Sequence, residues 1–339
     1  MISQSRLDAI STIHQLSCNS DGYNLYEMSV EYDYDLDELI AQGLVDDQTY
    51  AQAVFAQVLP GIEIKVQMPS FACSAFRAVT REGAVLTGRN YDFRDNTSSL
   101  LTRCSPKNGY RSIAFACLNN LRSNDALESK ATKAACLMAP FACLDGVNER
   151  GVSIAVLTLD SAPTHQVSGR QHINTALAIR LVLDRAASTQ EAVELLARYD
   201  MHAMADRGYH FFLNDASGDS RAIEYDPYDP DRPLIDLPVR QMTNFFARYQ
   251  DMVLPNQKNG ILGHGKEREE AISRVLDAHE GDQSTEVAWQ ALKAASQEPN
   301  PESITSNTQW SIVYDNTNRS AQIALRRRWG DIFKFTLET

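Results

Sequence analysis

No run in this 339-residue sequence approaches the ~20 apolar residues that a membrane-crossing helix needs. Its first residues, Met1-Ile2-Ser3-Gln4-Ser5-Arg6-Leu7-Asp8, lack the basic region and apolar stretch of a secretory signal. The expectation is a cytoplasmic protein without a membrane span. None of the six cysteines stands in a CxxC pair or at a zinc-like spacing from histidine, so neither a metal nor a redox dithiol is expected. In a reducing compartment most of Cys18, Cys104, Cys117, Cys136 and Cys143 are expected to be small buried hydrophobes. Internal repeats and low-complexity linkers are lacking too. Positive charge is scarce: the net charge is −12, which disfavours nucleic acid and anionic membranes as partners. The deficit is uneven, because residues 1–72 carry eleven acids against only Arg6 and Lys65, leaving −9 there and −3 in the rest.

What is present is the composition of a globular protein, 43% hydrophobic and 22% charged, long enough for one large domain or two ordinary ones. Leu36, Leu39 and Ile40 before Gly43 read as a short helix. Asp46-Asp47 then open a second, through Tyr50, Val54, Phe55 and Val58 to Leu59-Pro60-Gly61. Residues 71–80 and 84–90 read as a hairpin about Arg81-Glu82-Gly83, followed by strands at 112–118 and 151–159. Residues 173–187 have helical spacing, and Ser188-Thr189-Gln190-Glu191 has the form of a capping box opening another helix. A hairpin follows at 209–214 and 221–225, helices at 266–279 and 284–295, and strands at 310–314, 321–326 and 332–337. That order gives a layered α+β domain and suits two stacked antiparallel sheets between helical layers, although periodicity alone leaves other mixed arrangements open.

Cys73 stands in Pro69-Ser70-Phe71-Ala72-Cys73-Ser74-Ala75-Phe76, and Arg89 and Asp92 of Gly88-Arg89-Asn90-Tyr91-Asp92-Phe93 follow it by 16 and 19 residues. Across a strand-turn-strand, a thiol, a guanidinium and a carboxylate at these intervals can meet. A thiol attacks an amide as the thiolate, yet at its reference pKa near ~8.5 it is mostly protonated at neutral pH. Cutting the Ala72–Cys73 bond gives Cys73 an α-amine with a reference pKa of about 7.7 to 8.0, tethered beside the sulfur to take its proton.

The hairpin resembles the front end of an N-terminal-nucleophile hydrolase of the choloylglycine hydrolase and penicillin V acylase type, and the resemblance extends across residues 71–337. Asp145-Gly146-Val147-Asn148-Glu149-Arg150-Gly151-Val152 is similar to the family's DGMNEKGL segment, and Tyr209-His210-Phe211-Phe212 with Ser217-Gly218 to its LHW…SG hairpin. Met242-Thr243-Asn244 resembles its LTN, and Thr308-Gln309-Trp310-Ser311 its late TxYS strand. Thr158 falls where bile salt hydrolases place an asparagine and penicillin V acylases a tyrosine. The PGDxxxxSRF motif is degraded to Gly263-His264-Gly265-Lys266-Glu267-Arg268, which makes Arg268 the second arginine, with Arg274 as the alternative.

The resemblance implies the four-layer αββα sandwich of that fold, a pro-segment at 1–72 and a catalytic domain at 73–339. Among these residues Cys73 is the nucleophile, Arg89 favours the thiolate and Asp92 orients the α-amine. Asn244 and the backbone of Thr158 serve the oxyanion, and Arg268 holds the nucleophile's surroundings. A 72-residue leader departs from bile salt hydrolases and is more like acid ceramidase, in which such a segment is retained. The activity implied is hydrolysis of a linear, non-peptide amide: an N-acyl amino acid, a bile-acid conjugate or a similar amphiphile. Thr158 fits neither named substrate pattern. The rivals are an acyltransferase on the same scaffold and a binding homologue that stays uncleaved, and association into a homo-oligomer is left open.

Each residue also has a plainer reading. Arg89 and Asp92 can be a structural ion pair, Asn244 a cap, Asp145-Gly146 with Asn148 a turn and Thr158 a strand residue. His210 reads as a core histidine, His264 as a loop residue, and Arg326-Arg327-Arg328 as a solvated strand. What sets Cys73, Arg89, Asp92 and Asn244 apart is their joint match in order and spacing.

Overall fold

The computed structural model describes residues 2–59, 72–121, 123, 127–258, 260–303 and 306–337. Pro60, Gly61 and Phe71, read above as a helix end and a strand start, lie outside the described residues. Among those described, the larger sheet has nine strands, in the order β1 (His14–Gln15), β2 (Leu25–Val30), β5 (Ser99–Cys104), β6 (Ser112–Cys117), β7 (Cys143–Asn148), β8 (Ser153–Leu159), β11 (Gly208–Asn214), β12 (Ser220–Tyr225), β13 (Leu234–Pro238). The smaller has six: β14 (Gln241–Met242), β3 (Ala72–Val79), β4 (Val85–Asp92), β17 (Thr308–Asp315), β18 (Ser320–Leu325), β19 (Ile332–Thr336). Two short pairs complete the strands, β9 (Gln171–Asn174) with β10 (Tyr199–His202) and β15 (Asn244–Phe245) with β16 (Gly263–His264). The helices are α1 (Gln4–Ser11), α2 (Leu36–Ala41), α3 (Asp47–Val58), α4 (Lys130–Ala135), α5 (Thr175–Arg185), α6 (Thr189–Leu196), α7 (Lys266–Asp277) and α8 (Thr285–Ala295).

The two sheets pack through β3 against β8 and β11. Helices α5 and α6 cover the outer face of the larger sheet, and α7 and α8 that of the smaller. This is the αββα sandwich expected from the sequence. Among the described residues two pairings depart from a fully antiparallel plan: β2 runs parallel to β5 in the larger sheet, and β9 runs parallel to β10 in its short pair. The core between the layers joins residues of both sheets with Leu25, Met28, Leu39, Val54 and Val58 of the N-terminal segment.

Local chemistry accounts for the element starts. The Asp46 carboxylate accepts from the Thr49 N–H at 2.8 Å and caps α3, whose Tyr50, Val54 and Val58 are buried. The capping box at α6 forms in part: Ser188 Oγ accepts from the Glu191 N–H, while the Glu191 carboxylate returns to the N–H of Ala187, one residue before the cap. Asp145-Gly146 is not a turn but the middle of β7. Gly146 is required there by close approach, since a Cβ would stand 2.8 Å from the Ile113 carbonyl oxygen. The turn comes later, at Gly151 with φ +80°. Arg326 to Arg328 likewise leave the strand: Arg326 and Arg327 have positive φ, and Arg326 and Arg328 both pair with Asp21.

Residues 2–59 are built into the sandwich at several points. Besides the β2–β5 ladder, the Tyr34 hydroxyl donates to the buried Asp184 carboxylate at 2.9 Å, and its ring lies 5.7 Å from the Arg180 guanidinium that pairs with Asp184. A hydrogen bond to an ionised group is worth about 1.5 to 3 kcal/mol. Tyr50 donates to the Phe141 carbonyl, and the Gln171 side chain donates to that of Ile40.

Candidate active site

The β3–β4 register sets Cys73 opposite Tyr91 and Ala75 opposite Arg89. Cys73 and Arg89 therefore share the face of the hairpin that looks into the gap between the sheets. Both are fully buried. The Arg89 charge lies near enough to the thiol to favour its ionised form.

Arg89 does not pair with Asp92, which overturns the plainer ion-pair reading. Its Nε donates to Asp145 Oδ2 at 3.2 Å, Nη1 to the Asn90 carbonyl and Nη2 to the Val156 carbonyl, both at 2.9 Å. Burial works against the Arg89 charge, but Cys73 and Asp145 outweigh it and raise the guanidinium above its ordinary pKa. Tyr314 and Trp310 donate to the same Asp145 carboxylate, and the Trp310 ring stacks on Tyr91 at 4.1 Å. Asp145 thus anchors the site from the opposite sheet, a role the sequence reading did not give it.

Asp92 lies opposite Ala72, beside the Ala72–Cys73 bond. Thr308 Oγ1 donates to its Oδ1 at 2.6 Å and Gln297 Nε2 to its Oδ2 at 2.8 Å. In the continuous chain it is Asn244 that accepts from the Cys73 N–H, through Oδ1 at 2.9 Å.

Arg268, near the start of α7, donates from Nη1 to the Cys73 carbonyl at 2.7 Å and from Nη2 to Asn244 Oδ1 at 2.8 Å. The Arg268 Nη1 also lies 3.6 Å from Asp92 Oδ2. Arg274, the alternative, is exposed further along the helix. Asn244 Nδ2 donates to the Thr158 carbonyl at 2.8 Å, and Thr158 Oγ1 lies 3.3 Å away. Two donors at Oδ1 and an acceptor at Nδ2 fix the direction of this amide. All six residues singled out from the sequence meet around Cys73. Gln297 and Asp145 join them unannounced.

Burial pushes the Cys73 thiol up to about 12, Arg89 pulling against that rise and Asp92 adding to it. A raised thiol pKa keeps the sulfur protonated until the pH passes the shifted value, so Cys73 in the continuous chain is a thiol at neutral pH. Native uncleaved chain is expected to leave Cys73 unalkylated by iodoacetamide at pH 9.0, where an ordinary thiol is substantially ionised, while urea-unfolded chain is modified there. Peptide mapping reads the difference, and rapid native alkylation would contradict it.

Phe245 and Phe246 pack with Leu159, Val253 and Leu262 in a small cluster of their own. A small apolar cavity of about 10 Å³ lies among Leu144, Val156, Ile179, Met204 and Tyr209. That is room for about one water, so an acyl chain entering here must displace side chains.

The sequence matches the family model described as acyl-coenzyme A:6-aminopenicillanic acid acyl-transferase over residues 79–328. The chain belongs to that family. The acyl-transferase match begins after Cys73 and spans Arg89, Asp92, Thr158, Asn244 and Arg268. No curated protein matches in sequence. Among solved structures, a conjugated bile acid hydrolase from Clostridium perfringens is 14% identical, covering 78% of this chain and 92% of its own, with a TM-score of 0.57. Penicillin V acylase from Agrobacterium tumefaciens is 18% identical, covering 78% and 86%, also with a TM-score of 0.57. At these identities the likeness establishes a shared fold, the N-terminal-nucleophile hydrolase sandwich.

Proposed function

We propose that this chain is a self-processing cysteine amidase that acts on linear, non-peptide amides once the Ala72–Cys73 bond is cut. The observation that carries this reading is the clamp on one residue. Asn244 holds the Cys73 nitrogen, Arg268 its carbonyl, and the Arg89 charge favours the ionised form of its sulfur. A structural cysteine needs none of these; a residue whose nitrogen must become a base beside its own sulfur needs all three.

Cleavage turns that nitrogen from an amide into an amine. Asn244 Oδ1 is already placed to accept one of its hydrogens, leaving the lone pair for the thiol proton. The thiolate, facing Arg89, then attacks the substrate carbonyl. The C–N bond breaks, the leaving amine takes the proton from the α-ammonium, and the acyl group stays on sulfur as a thioester. Oxyanion donors come from the Asn244–Thr158 neighbourhood; a donor of this kind is worth roughly 2.7 to 4 kcal/mol. The segment before Cys73 stays bound as a separate chain, held by the β2–β5 ladder and the Tyr34–Asp184 contact.

A second reading, in which an amine rather than water takes the acyl group, is favoured by the description of the matching family. One experiment tests both. Cleaved protein is given labelled N-acyl amino acids, conjugated bile acids and penicillin V, with and without an added amine. Free acid as the main product supports the amidase, whereas acyl amide as the main product supports the transferase. No turnover together with no adduct on Cys73 would leave a binding protein and end the enzyme reading.

A further inference from the structure

Gln297 belongs to none of the segments that resemble the family pattern, and it lies between α8 and β17 rather than in either sheet. Its side chain still reaches the buried Asp92 carboxylate, Nε2 donating to Oδ2 at 2.8 Å. Its backbone is held from two sides. The Gln297 N–H donates to Thr308 Oγ1 at 2.7 Å, and that hydroxyl donates to Asp92 Oδ1 at 2.6 Å. The Gln297 carbonyl accepts from the Thr308 N–H and from Arg327 Nη1, each at 2.9 Å. Thr308 and Gln297 thus form one bracket with a donor for each oxygen of Asp92. Such a bracket fixes where a carboxylate points and how much of its charge reaches its neighbours.

The bracketed Oδ2 stands beside Cys73. Arg268 Nη1 donates to the Cys73 carbonyl at 2.7 Å and lies 3.6 Å from that oxygen. Asp92 is also opposite Ala72, whose carbonyl carbon carries the Cys73 nitrogen. Among the described residues, the other charged groups around this nitrogen are Arg268 of α7, Arg89 of β4 and, behind Arg89, Asp145 of β7. His264 of β16 is turned to Asp160, and burial pushes the Tyr91 and Tyr209 hydroxyls up, so both are neutral near pH 7. Two arginines disfavour a positive charge on an amine in this place, and Asp92 favours it. An ammonium cannot take the thiol proton. The balance turns on how much of the Asp92 charge the amine meets, and Gln297 Nε2 aims an N–H dipole at the oxygen concerned.

We propose that Gln297 is a positioning residue for the mature nucleophile: by holding Asp92 Oδ2 it keeps the Cys73 α-amine unprotonated near neutral pH. This rests on the reading that cleavage frees that amine. Gln297 itself exchanges no proton. The thiol proton still passes to the amine and from the ammonium to the leaving group, and Gln297 sets, through Asp92, the fraction of amine free to begin. With its donor removed, the Asp92 charge reaches the amine less opposed, and the amine holds its proton to a higher pH.

The test compares wild-type protein processed to two chains with processed Gln297→Met, which keeps the side-chain length and loses the donor. With a chromogenic N-acyl donor, the acid limb of kcat/KM is expected to move up by about one pH unit in Gln297→Met. That is about a tenfold loss on the acid side, with KM little changed and the rate recovering on the plateau. Gln297→Asn, whose amide is drawn back by one methylene, should move the limb the same way and guards against a folding defect in the first variant. Cyanate labelling of the Cys73 α-amine over the same pH range should show the same shift without needing turnover. A loss equal at every pH, or an unmoved limb and labelling profile, overturns the proposal. Wild type that is cleaved but forms no adduct on Cys73 ends the amidase reading, and the labelling shift then decides the role of Gln297 alone. A wild-type chain that stays uncleaved overturns both.

Discussion

Cys73→Ala is expected to arrive as a single uncleaved chain with no measurable turnover. Removing the nucleophile of a covalent enzyme costs on the order of 10⁶ in kcat, and in the proposed function the same sulfur also opens the Ala72–Cys73 bond. The substitution deletes one buried atom and leaves the Cys73 N–H and carbonyl with their partners, Asn244 and Arg268. The folded state should therefore survive, which circular dichroism and the urea midpoint will show. Cys18→Ala, at an exposed site, is the control and should process and turn over normally. Persistent cleavage in Cys73→Ala would assign the cut to another protease.

The second large effect is on stability. Asp145→Ala leaves the Arg89 guanidinium charged between the sheets, with no carboxylate facing it. Breaking a buried pair from one side typically costs 3 to 5 kcal/mol, because the surviving charge is not returned to water. Trp310 and Tyr314 lose their acceptor as well. The urea midpoint of Asp145→Ala should fall accordingly. The double variant Arg89→Met/Asp145→Leu should recover much of the loss, since no charge is then stranded, while remaining slow to process for want of Arg89 at the thiol. A drop below about 1 kcal/mol in the single variant would mean that water or another group relieves Arg89.

These two residues also mark what could be read from the sequence. Cys73 and Arg89 were legible because a hairpin of fixed register converts a 16-residue interval into one shared face. Asn244, Thr158 and Arg268 were legible only as ordered fragments of a family pattern, since nothing in their spacing places them together. Asp145 was not legible: Asp-Gly is the commonest of turn signals, and only a partner on the other sheet turns it into a buried anion. The contact of Gln297 with Asp92 spans 205 residues and has no local signature. The same holds for His264 and Asp160, 104 residues apart, whose histidine read as an ordinary loop residue. Strand β2 is a different kind of omission. Tyr26, Met28 and Val30 alternate with Glu27 and Ser29 as a half-buried strand should. What could not be read was its parallel partner β5, reached across the intervening helices and hairpin.

The chemistry proposed here turns on whether the Cys73 nitrogen is an amine in the working protein. Intact-mass measurement with N-terminal sequencing, on protein first treated with an acyl donor that reports turnover, tests that directly. The expected result is two co-purifying chains, one beginning at Cys73 and the other ending at Ala72, with the acyl mass carried on the Cys73 chain. Turnover by a single intact 37.8 kDa chain would contradict it, for the nitrogen would then be an amide with no proton to take.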